Sequence, residues 1–163
     1  MKIYLFIAIL LLAGCVTPPQ TVREFREGFQ QGGTFTKIEK KNIQRPFSDV
    51  FQNVKTNADK CFNIGVSGST PGSAVPHKEY TRYRSHSTKT GKAFAETVLQ
   101  MEKNASGKMP EGGYYAMLTD MEGLTGTSTR VTVYAPSIGY DEVFQAIFEW
   151  ANGKDRACPN WMR

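Results

Sequence analysis

The fold is decided by residues 93–135, AFAETVLQMEKNASGKMPEGGYYAMLTDMEGLTGTSTRVTVYA, where stretches of alternating apolar and polar residues are separated by short polar links. Side chains along a β-strand point alternately to its two faces, so this alternation predicts strands. With the residues just before it, the stretch predicts four strands, at residues 79–87, 93–103, 113–122 and 127–135. The links are short enough for hairpins, so the strands should form an antiparallel meander.

Two amphipathic helices should cover one face of this sheet. Apolar residues recur at helical spacing over residues 46–62 and again over residues 140–152, the pattern of a helix with one buried stripe. Phe148 and Trp150 lie beside the stripe of the second helix. They indicate either a wide buried face or an exposed surface for a partner.

The remaining segments are shorter. Residues 21–24, TVRE, have the order of a capping box and predict a small helix that ends at residues 32–33. Its apolar stripe should pack on the domain or rest on a membrane. Residues 34–44 predict a further strand. Residues 65–76, GVSGSTPGSAVP, are rich in glycine, serine and proline and predict a loop.

The order of elements predicts an α+β fold. We expect a two-layer sandwich in which an antiparallel sheet of four to five strands carries the two main helices on one face. Residues 21–163 have a suitable length for a single globular domain. The order β-α-β-β-β-β-α is loosely similar to the small domains of lipoproteins that assist outer-membrane barrel assembly, although no motif is shared.

The first residues, MKIYLFIAILLLAGC, begin with a positive charge and continue as an uncharged apolar run. The run is shorter than the roughly 20 residues of a membrane-spanning helix and has the length of a signal-peptide core. The tetrapeptide Leu12-Ala13-Gly14-Cys15 resembles the lipobox of bacterial lipoproteins. An ordinary cleaved signal peptide, or a buried apolar helix with Cys15 there by chance, is the alternative interpretation.

The lipobox resemblance implies a compartment and an anchor. Residues 1–14 would be a cleaved lipoprotein signal peptide, Cys15 would carry acyl chains such as palmitate, and residues 15–20 would be the lipidated tether. Several acyl chains hold a protein to a membrane persistently, since each buried methylene contributes about 0.8 kcal/mol. Val16 stands where aspartate would retain a lipoprotein in the inner membrane. We therefore expect a location in the outer membrane, facing the periplasm.

Once Cys15 is set aside, one cysteine pair remains, Cys61 with Cys158. Exported thiols in an oxidising compartment usually pair, so these residues predict a disulfide bond. The competing interpretation is a metal or redox pair, but neither cysteine lies in a CxxC motif and no histidine is near either one. We expect no cofactor and no metal site.

The charge of the chain says little about its partners. The formal net charge is +5 and the sequence pI is about 9.1, with cations interspersed among acids. This pattern is typical of a solvated surface of mixed sign, although a basic surface also attracts anionic headgroups or acidic glycans. A nucleic-acid partner is not expected behind an export signal.

Three functional classes follow, and the first is favoured. It is a non-catalytic envelope lipoprotein that binds an envelope protein or supports an assembly, with a binding surface drawn from Tyr80, Arg82, Tyr83, Arg84, Phe148 and Trp150. The second is a module for a small anionic ligand or a cell-wall glycan, bound by Arg82, Arg84, Lys89 and Lys92 with Tyr80 and Tyr83. The third is a hydrolase built on His86 beside Ser85 and Ser87, which lacks a G-x-S-x-G motif. We expect no enzyme.

Overall fold

The computed structural model describes residues 18–33, 35–69, 78–103 and 109–160. The predicted signal peptide, Cys15 and the first residue of the predicted strand at 34–44 lie outside these ranges. The described elements, in chain order, are α1 (Val22–Gln30), β1 (Thr36–Ile43), α2 (Phe47–Phe62), β2 (Gly65–Ser69), β3 (Lys78–Thr90), β4 (Phe94–Lys103), β5 (Tyr114–Thr125), β6 (Ser128–Pro136) and α3 (Asp141–Ala151).

All six strands form one antiparallel sheet in the order β1-β6-β5-β4-β3-β2. The predicted meander of β3 to β6 is confirmed, and so is the α+β class. Its hairpins set Leu99 opposite Met117 and Thr119 opposite Val133. Each pair joins residues of one sheet face, because side chains of directly opposed residues point the same way.

The sheet has six strands where four to five were predicted. The additional strand is β2, which occupies the first five residues of the predicted loop at 65–76 and pairs with β3. That prediction is wrong for residues 65–69, and residues 70–76 lie outside the described ranges. Backbone hydrogen bonds to β3 hold β2 in place, and such bonds leave no apolar pattern in the sequence.

Helices α2 and α3 cover one sheet face, here called the core face, as predicted. Val50, Val54 and Ala58 of α2 are 0–1% exposed and pack in the same cluster as residues of α3 and of β4, β5 and β6. Phe62 at the end of α2 packs against Trp150, with 5.6 Å between ring centroids. Burying this apolar surface is the main stabilisation of the fold.

Helix α1 packs on the opposite sheet face, here called the outer face. Phe25 is buried in a second, smaller cluster with Val98, Leu118 and Tyr134. The predicted two-layer sandwich is therefore incomplete, because the outer face also carries a helix over part of its area. Of the two surfaces proposed for the stripe of α1, packing on the domain is the one confirmed. Among the described residues, no helix is long and apolar enough to cross a membrane.

Candidate functional site

The binding residues predicted on β3 do not share one surface. Tyr80, Arg82 and Arg84 are exposed and alternate with Tyr83, which is half-buried against the core-face cluster. Successive residues of a strand point to opposite faces. The predicted set is therefore divided, with the two arginines and Tyr80 on the outer face and Tyr83 on the core face.

The outer-face part of this set lies at the end of the sheet where β2 is the edge strand. The ring of Tyr80 lies over Gly65, where a Cβ atom would collide with the Tyr80 hydroxyl. Residue 65 must therefore be glycine if the ring is to keep this position. An open cleft of about 570 Å³ adjoins this pair, lined by Asn63, Ile64, Gly65, Tyr80, Arg82, Tyr83 and Arg84.

The two arginines of this surface differ in their relation to Glu102. An Nη atom of Arg84 lies 3.5 Å from a carboxylate oxygen of Glu102, and both side chains are substantially exposed. An ion pair of this kind contributes at most about 1 kcal/mol. Arg82 lies directly opposite Glu102 in the sheet register. Glu102 therefore neutralises part of the charge of Arg84 and lies on the strand beside Arg82, which reduces the attraction of this surface for an anion.

Tyr83 contributes to a tyrosine pair on the core face. Burial raises the pKa of the Tyr83 phenol, and burial with the nearby Tyr83 raises the pKa of Tyr140 to about 12. Both rings pack against the main cluster of the core face. A phenol with a raised pKa stays protonated at neutral pH. These two hydroxyls are therefore neutral hydrogen-bonding groups.

Phe148 and Trp150 cannot belong to an exposed binding surface, and their prediction as one is wrong. The two side chains are 3% and 0% exposed. Trp150 donates its indole N–H to the backbone oxygen of Arg156 at 3.1 Å, and the ring of Phe148 lies under the ammonium group of Lys41, 4.3 Å from its centroid. The wide buried face of α3, the other interpretation, is confirmed.

The lysines predicted to bind an anion or glycan lie away from Arg82 and Arg84. Lys89 reaches over the ring of Phe47 on the core face, with its Nζ atom 5.4 Å from the centroid. Lys89 and Lys92 line a different open cavity, of about 390 Å³, where α2 begins. The four cations therefore do not form one site.

The residues of the hydrolase hypothesis are also separated. Ser85 donates its hydroxyl to the Asp59 carboxylate at 3.0 Å, and the Ser87 hydroxyl bonds to that of Thr97 at 2.8 Å. Both serines share the core face. His86, between them in sequence, is exposed on the outer face, so neither hydroxyl faces the imidazole that would have to deprotonate it.

Sequence reasoning missed an ion cluster that fixes α1 to the sheet. Arg26 donates two hydrogen bonds to the Asp120 carboxylate, each 2.8 Å, and a third to Glu96 at 3.0 Å. The hydrogen bond to Asp120 is the largest cause that raises the pKa of Arg26. Asp120 and Glu96 lie opposite each other in adjacent strands, so the guanidinium separates two like charges. The only sign of this cluster in the sequence was an acidic residue within each of two largely apolar strands.

Beside this cluster, the amino end of α1 and strands β3 and β4 enclose a groove that the sequence did not indicate. Its volume is about 570 Å³. Val22, Val98 and Tyr115 supply apolar surface, and the polar lining includes His86, Thr88, Glu96, Gln100 and Glu111. The groove exists only because α1 packs across the outer face. Among the described residues, no cluster of three or more His, Cys, Asp or Glu side chains could hold a metal ion.

A second unpredicted surface is a corner of the sheet with exposed apolar side chains. Phe35 and Ile138 are 63% and 69% exposed. Their segments meet where the Ser137 N–H donates to the backbone oxygen of Phe35 at 2.8 Å. Single exposed apolar residues are ordinary, but neighbouring ones are typical of contact surfaces. We call Phe35 and Ile138 the apolar corner.

The predicted disulfide bond between Cys61 and Cys158 is confirmed. The two Cα atoms lie 5.2 Å apart across a sequence separation of 97. Cys61 ends the buried stripe of α2, and Cys158 follows α3. The bond therefore joins the end of α2 to the segment that follows α3.

No family model matches the sequence, and no curated protein matches it either. The chain is similar to a solved structure described as a conserved protein from Geobacillus kaustophilus, with a TM-score of 0.39 and 10% sequence identity, over 72% of this chain and 93% of that one.

Proposed function

We propose that the chain is a bacterial envelope lipoprotein, anchored through lipid on Cys15, whose domain is a non-catalytic module that binds a protein partner or supports an envelope assembly. The observation that carries the anchor is the order of a positive charge, an apolar run, small residues and cysteine in residues 1–15. The Cys61–Cys158 bond is consistent with an oxidising compartment such as the periplasm.

The attachment of α1 supports a function close to the membrane. Six residues separate Cys15 from Val22, the first residue of α1, and an extended chain spans at most about 3.6 Å per residue. The amino end of α1 would therefore lie within roughly 25 Å of the lipidated cysteine. Because Arg26 and Phe25 hold α1 to the sheet, the outer face would lie beside the bilayer. Val16 favours the outer membrane as that bilayer.

The exposed surface supports an interaction module. Phe35, Ile138 and Tyr80 expose large fractions of their side chains, while each hydroxyl of the hydrolase hypothesis already has a partner other than His86. Protein contact surfaces are enriched in aromatic and arginine side chains. The anionic ligand or glycan alternative has less support, because its four cations lie on two surfaces and Arg84 faces Glu102.

Photocrosslinking in the native envelope tests this proposal. A photoreactive amino acid would replace Arg84 on the outer face or Ile138 at the apolar corner, with Lys154, exposed beyond α3, as the control position. We expect one protein partner to be captured repeatedly from Arg84 or Ile138 and not from Lys154. The same variants with Cys15→Ser should lose palmitate labelling and most of the capture.

Three outcomes would contradict the proposal. Palmitate retained in the Cys15→Ser variant would remove the anchor. Captured glycan in place of protein, lost on Arg82→Ala, would favour the alternative module. An activity that disappears on His86→Ala, with no partner captured from either position, would favour the hydrolase.

A further inference from the structure

Strand β3 is longer than β2, the strand that pairs with it on the side away from β4. β3 runs over Lys78–Thr90, but β2 pairs with it only as far as Arg82, and one further backbone exchange joins Ile64 to Tyr83. In the described part of the chain, residues 85–90 have β4 on one side and no strand on the other. We call this segment the β3 edge.

The register shows which backbone groups of the β3 edge are free to pair. Tyr83 exchanges both of its backbone hydrogen bonds with Ile64, at 2.8 and 3.2 Å. In an antiparallel ladder, backbone groups alternate between the two neighbouring strands. Ser85, Ser87 and Lys89 therefore direct their N–H and C=O groups away from β4, as Tyr83 does. His86 and Thr88 direct theirs towards β4.

Only the first of these outward groups has a partner among the described residues. The N–H of Ser85 donates to the side-chain oxygen of Asn63 at 2.8 Å. The C=O of Ser85 and both backbone groups of Ser87 and Lys89 remain open to an added strand. An extended segment opposite Ser87 and Lys89 could form five backbone hydrogen bonds. These are the bonds by which added strands obtain affinity.

The side chains of the β3 edge do not obstruct such a strand. Ser85 and Ser87 bond to Asp59 and Thr97 on the core face, and Lys89 lies over Phe47. The segment contains no proline, no glycine and one permanent charge. The opposite edge, β1, carries three lysines, Lys37, Lys40 and Lys41, and edge lysines are a common protection against strand addition.

The charges at one end of the β3 edge indicate the chemistry of the occupant. Lys89 and Lys92 lie at the Thr90 end, and neither forms an ion pair with another described residue. An antiparallel segment would have its amino-terminal residues there. The ammonium group of Lys89 lies over the ring of Phe47, so an aspartate or glutamate at that end would be attracted chiefly by exposed Lys92, in the turn that follows Thr90.

We propose that the β3 edge binds an extended segment of a partner protein, which adds to the sheet as an antiparallel strand and carries an acidic residue near its amino end. This inference rests on the proposed function of the domain as an interaction module. The segment would follow the line of β2 and end beside Asn63.

Proline substitution separates a backbone role from a side-chain role. Ser87→Pro removes an outward N–H, which β3 does not use for pairing with β4, so the sheet should persist. Ser87→Ala removes the hydroxyl and keeps the N–H, so it is the matched control. Lys89→Pro and Lys89→Ala form a second pair in case Ser87→Pro fails to fold. We expect each proline variant to bind at least about tenfold more weakly than its alanine control.

The first measurement is amide exchange in the purified full-length lipoprotein. The amides of Ser87 and Lys89 should exchange much faster than those of His86 and Thr88, which are bonded to β4. Protection of Ser87 and Lys89 in the isolated protein would overturn the proposal, because another part of this chain or a second copy would then occupy the edge.

The second measurement is photocrosslinking in the envelope from Thr88, within the β3 edge, with Lys40 on β1 as the control position. We expect Thr88 to capture a protein through an extended segment with an acidic residue near its amino end, and Ser87→Pro to reduce that capture. A synthetic peptide of the segment should bind the lipoprotein, and N-methylation of its edge-facing amides should abolish binding. Capture from Lys40 that equals capture from Thr88 would contradict the proposed edge.

The outcomes distinguish this inference from the proposed function. Capture from Ile138 or Arg84 but not from Thr88 would overturn the β3 edge and leave the interaction module standing. Capture of a second copy of this chain from Thr88 would overturn the partner as occupant. Absence of capture from all of these positions would overturn both.

Discussion

Replacing Arg26 with methionine should detach α1 from the sheet while the main core remains folded. Methionine has a similar length but no charge and no donors. The change removes three hydrogen bonds of 2.8 to 3.0 Å and leaves the carboxylates of Asp120 and Glu96 opposite each other in adjacent strands. Like charges directly opposite in a sheet are destabilising.

The magnitude follows from how far the cluster is removed from water. The Asp120 side chain is 12% exposed and those of Arg26 and Glu96 are 24% and 22% exposed. Removing one partner of a fully buried ion pair costs about 3–5 kcal/mol. Because these groups retain some contact with water, we expect Arg26→Met to lower the free energy of unfolding by about 2–3 kcal/mol. The matched control is Arg23→Met in the same helix, whose exposed pair with Glu27 spans 3.7 Å and should contribute less than about 1 kcal/mol.

Urea unfolding is the suitable assay, since guanidinium would screen the charges that are being tested. With a urea dependence of roughly 2 kcal/mol per molar, Arg26→Met should lower the unfolding midpoint by about 1 M. Asp120→Asn should cost less in the Arg26→Met background than in the wild type, since the two residues interact directly. Amide exchange over Val22–Gln30 should accelerate. A midpoint no lower than that of Arg23→Met, or additive effects of Arg26→Met and Asp120→Asn, would refute this account of the cluster.

Two further predictions concern the other face of the sheet. Cys61→Ser should lower the free energy of unfolding by roughly 4 kcal/mol, because the disulfide bond closes a loop of nearly a hundred residues. In urea unfolding, the reduced wild type should have the same midpoint as this variant. A variant midpoint equal to that of the oxidised wild type would contradict the prediction. Tyr140, whose pKa burial raises from 10.0 to about 12, keeps its proton in the folded state between those pH values while the unfolded chain loses it. The free energy of unfolding should therefore fall by up to about 2–3 kcal/mol as pH rises from 10 to 12. Across this range the urea midpoint should fall less for Tyr140→Phe than for the wild type. Equal declines in the two proteins would show that Tyr140 is not responsible.

Local periodicity determined the elements that carry the core. The helices at Phe47–Phe62 and Asp141–Ala151 and the strands from β3 to β6 were predictable, because burial of one face leaves a repeat in the sequence. The cysteine count gave the Cys61–Cys158 pair. The identity of residues 1–15 as an export and lipidation signal is likewise a matter of local sequence order and stays a prediction.

Pairing between distant segments was not predictable in the same way. Strand β2 consists of GVSGS, which carries no apolar pattern, and it forms because its backbone groups are satisfied by β3. The predicted binding surface also combined neighbouring residues of one strand as if they shared one face. Tyr83 and Arg84 are adjacent in sequence, but the pleat of β3 places them on opposite faces of the sheet.

The sequence by itself therefore determined the secondary structure of the core, the cysteine pairing and the apolar stripe of α1. Only the tertiary structure decided which surface that stripe covers, that Arg26 meets Asp120 and Glu96, and that Phe148 and Trp150 are buried. It also decided that β3 extends past β2 and leaves an open edge. The physical reason is that periodicity records only that a side chain is buried, whereas its neighbours depend on how segments far apart in the chain are packed together.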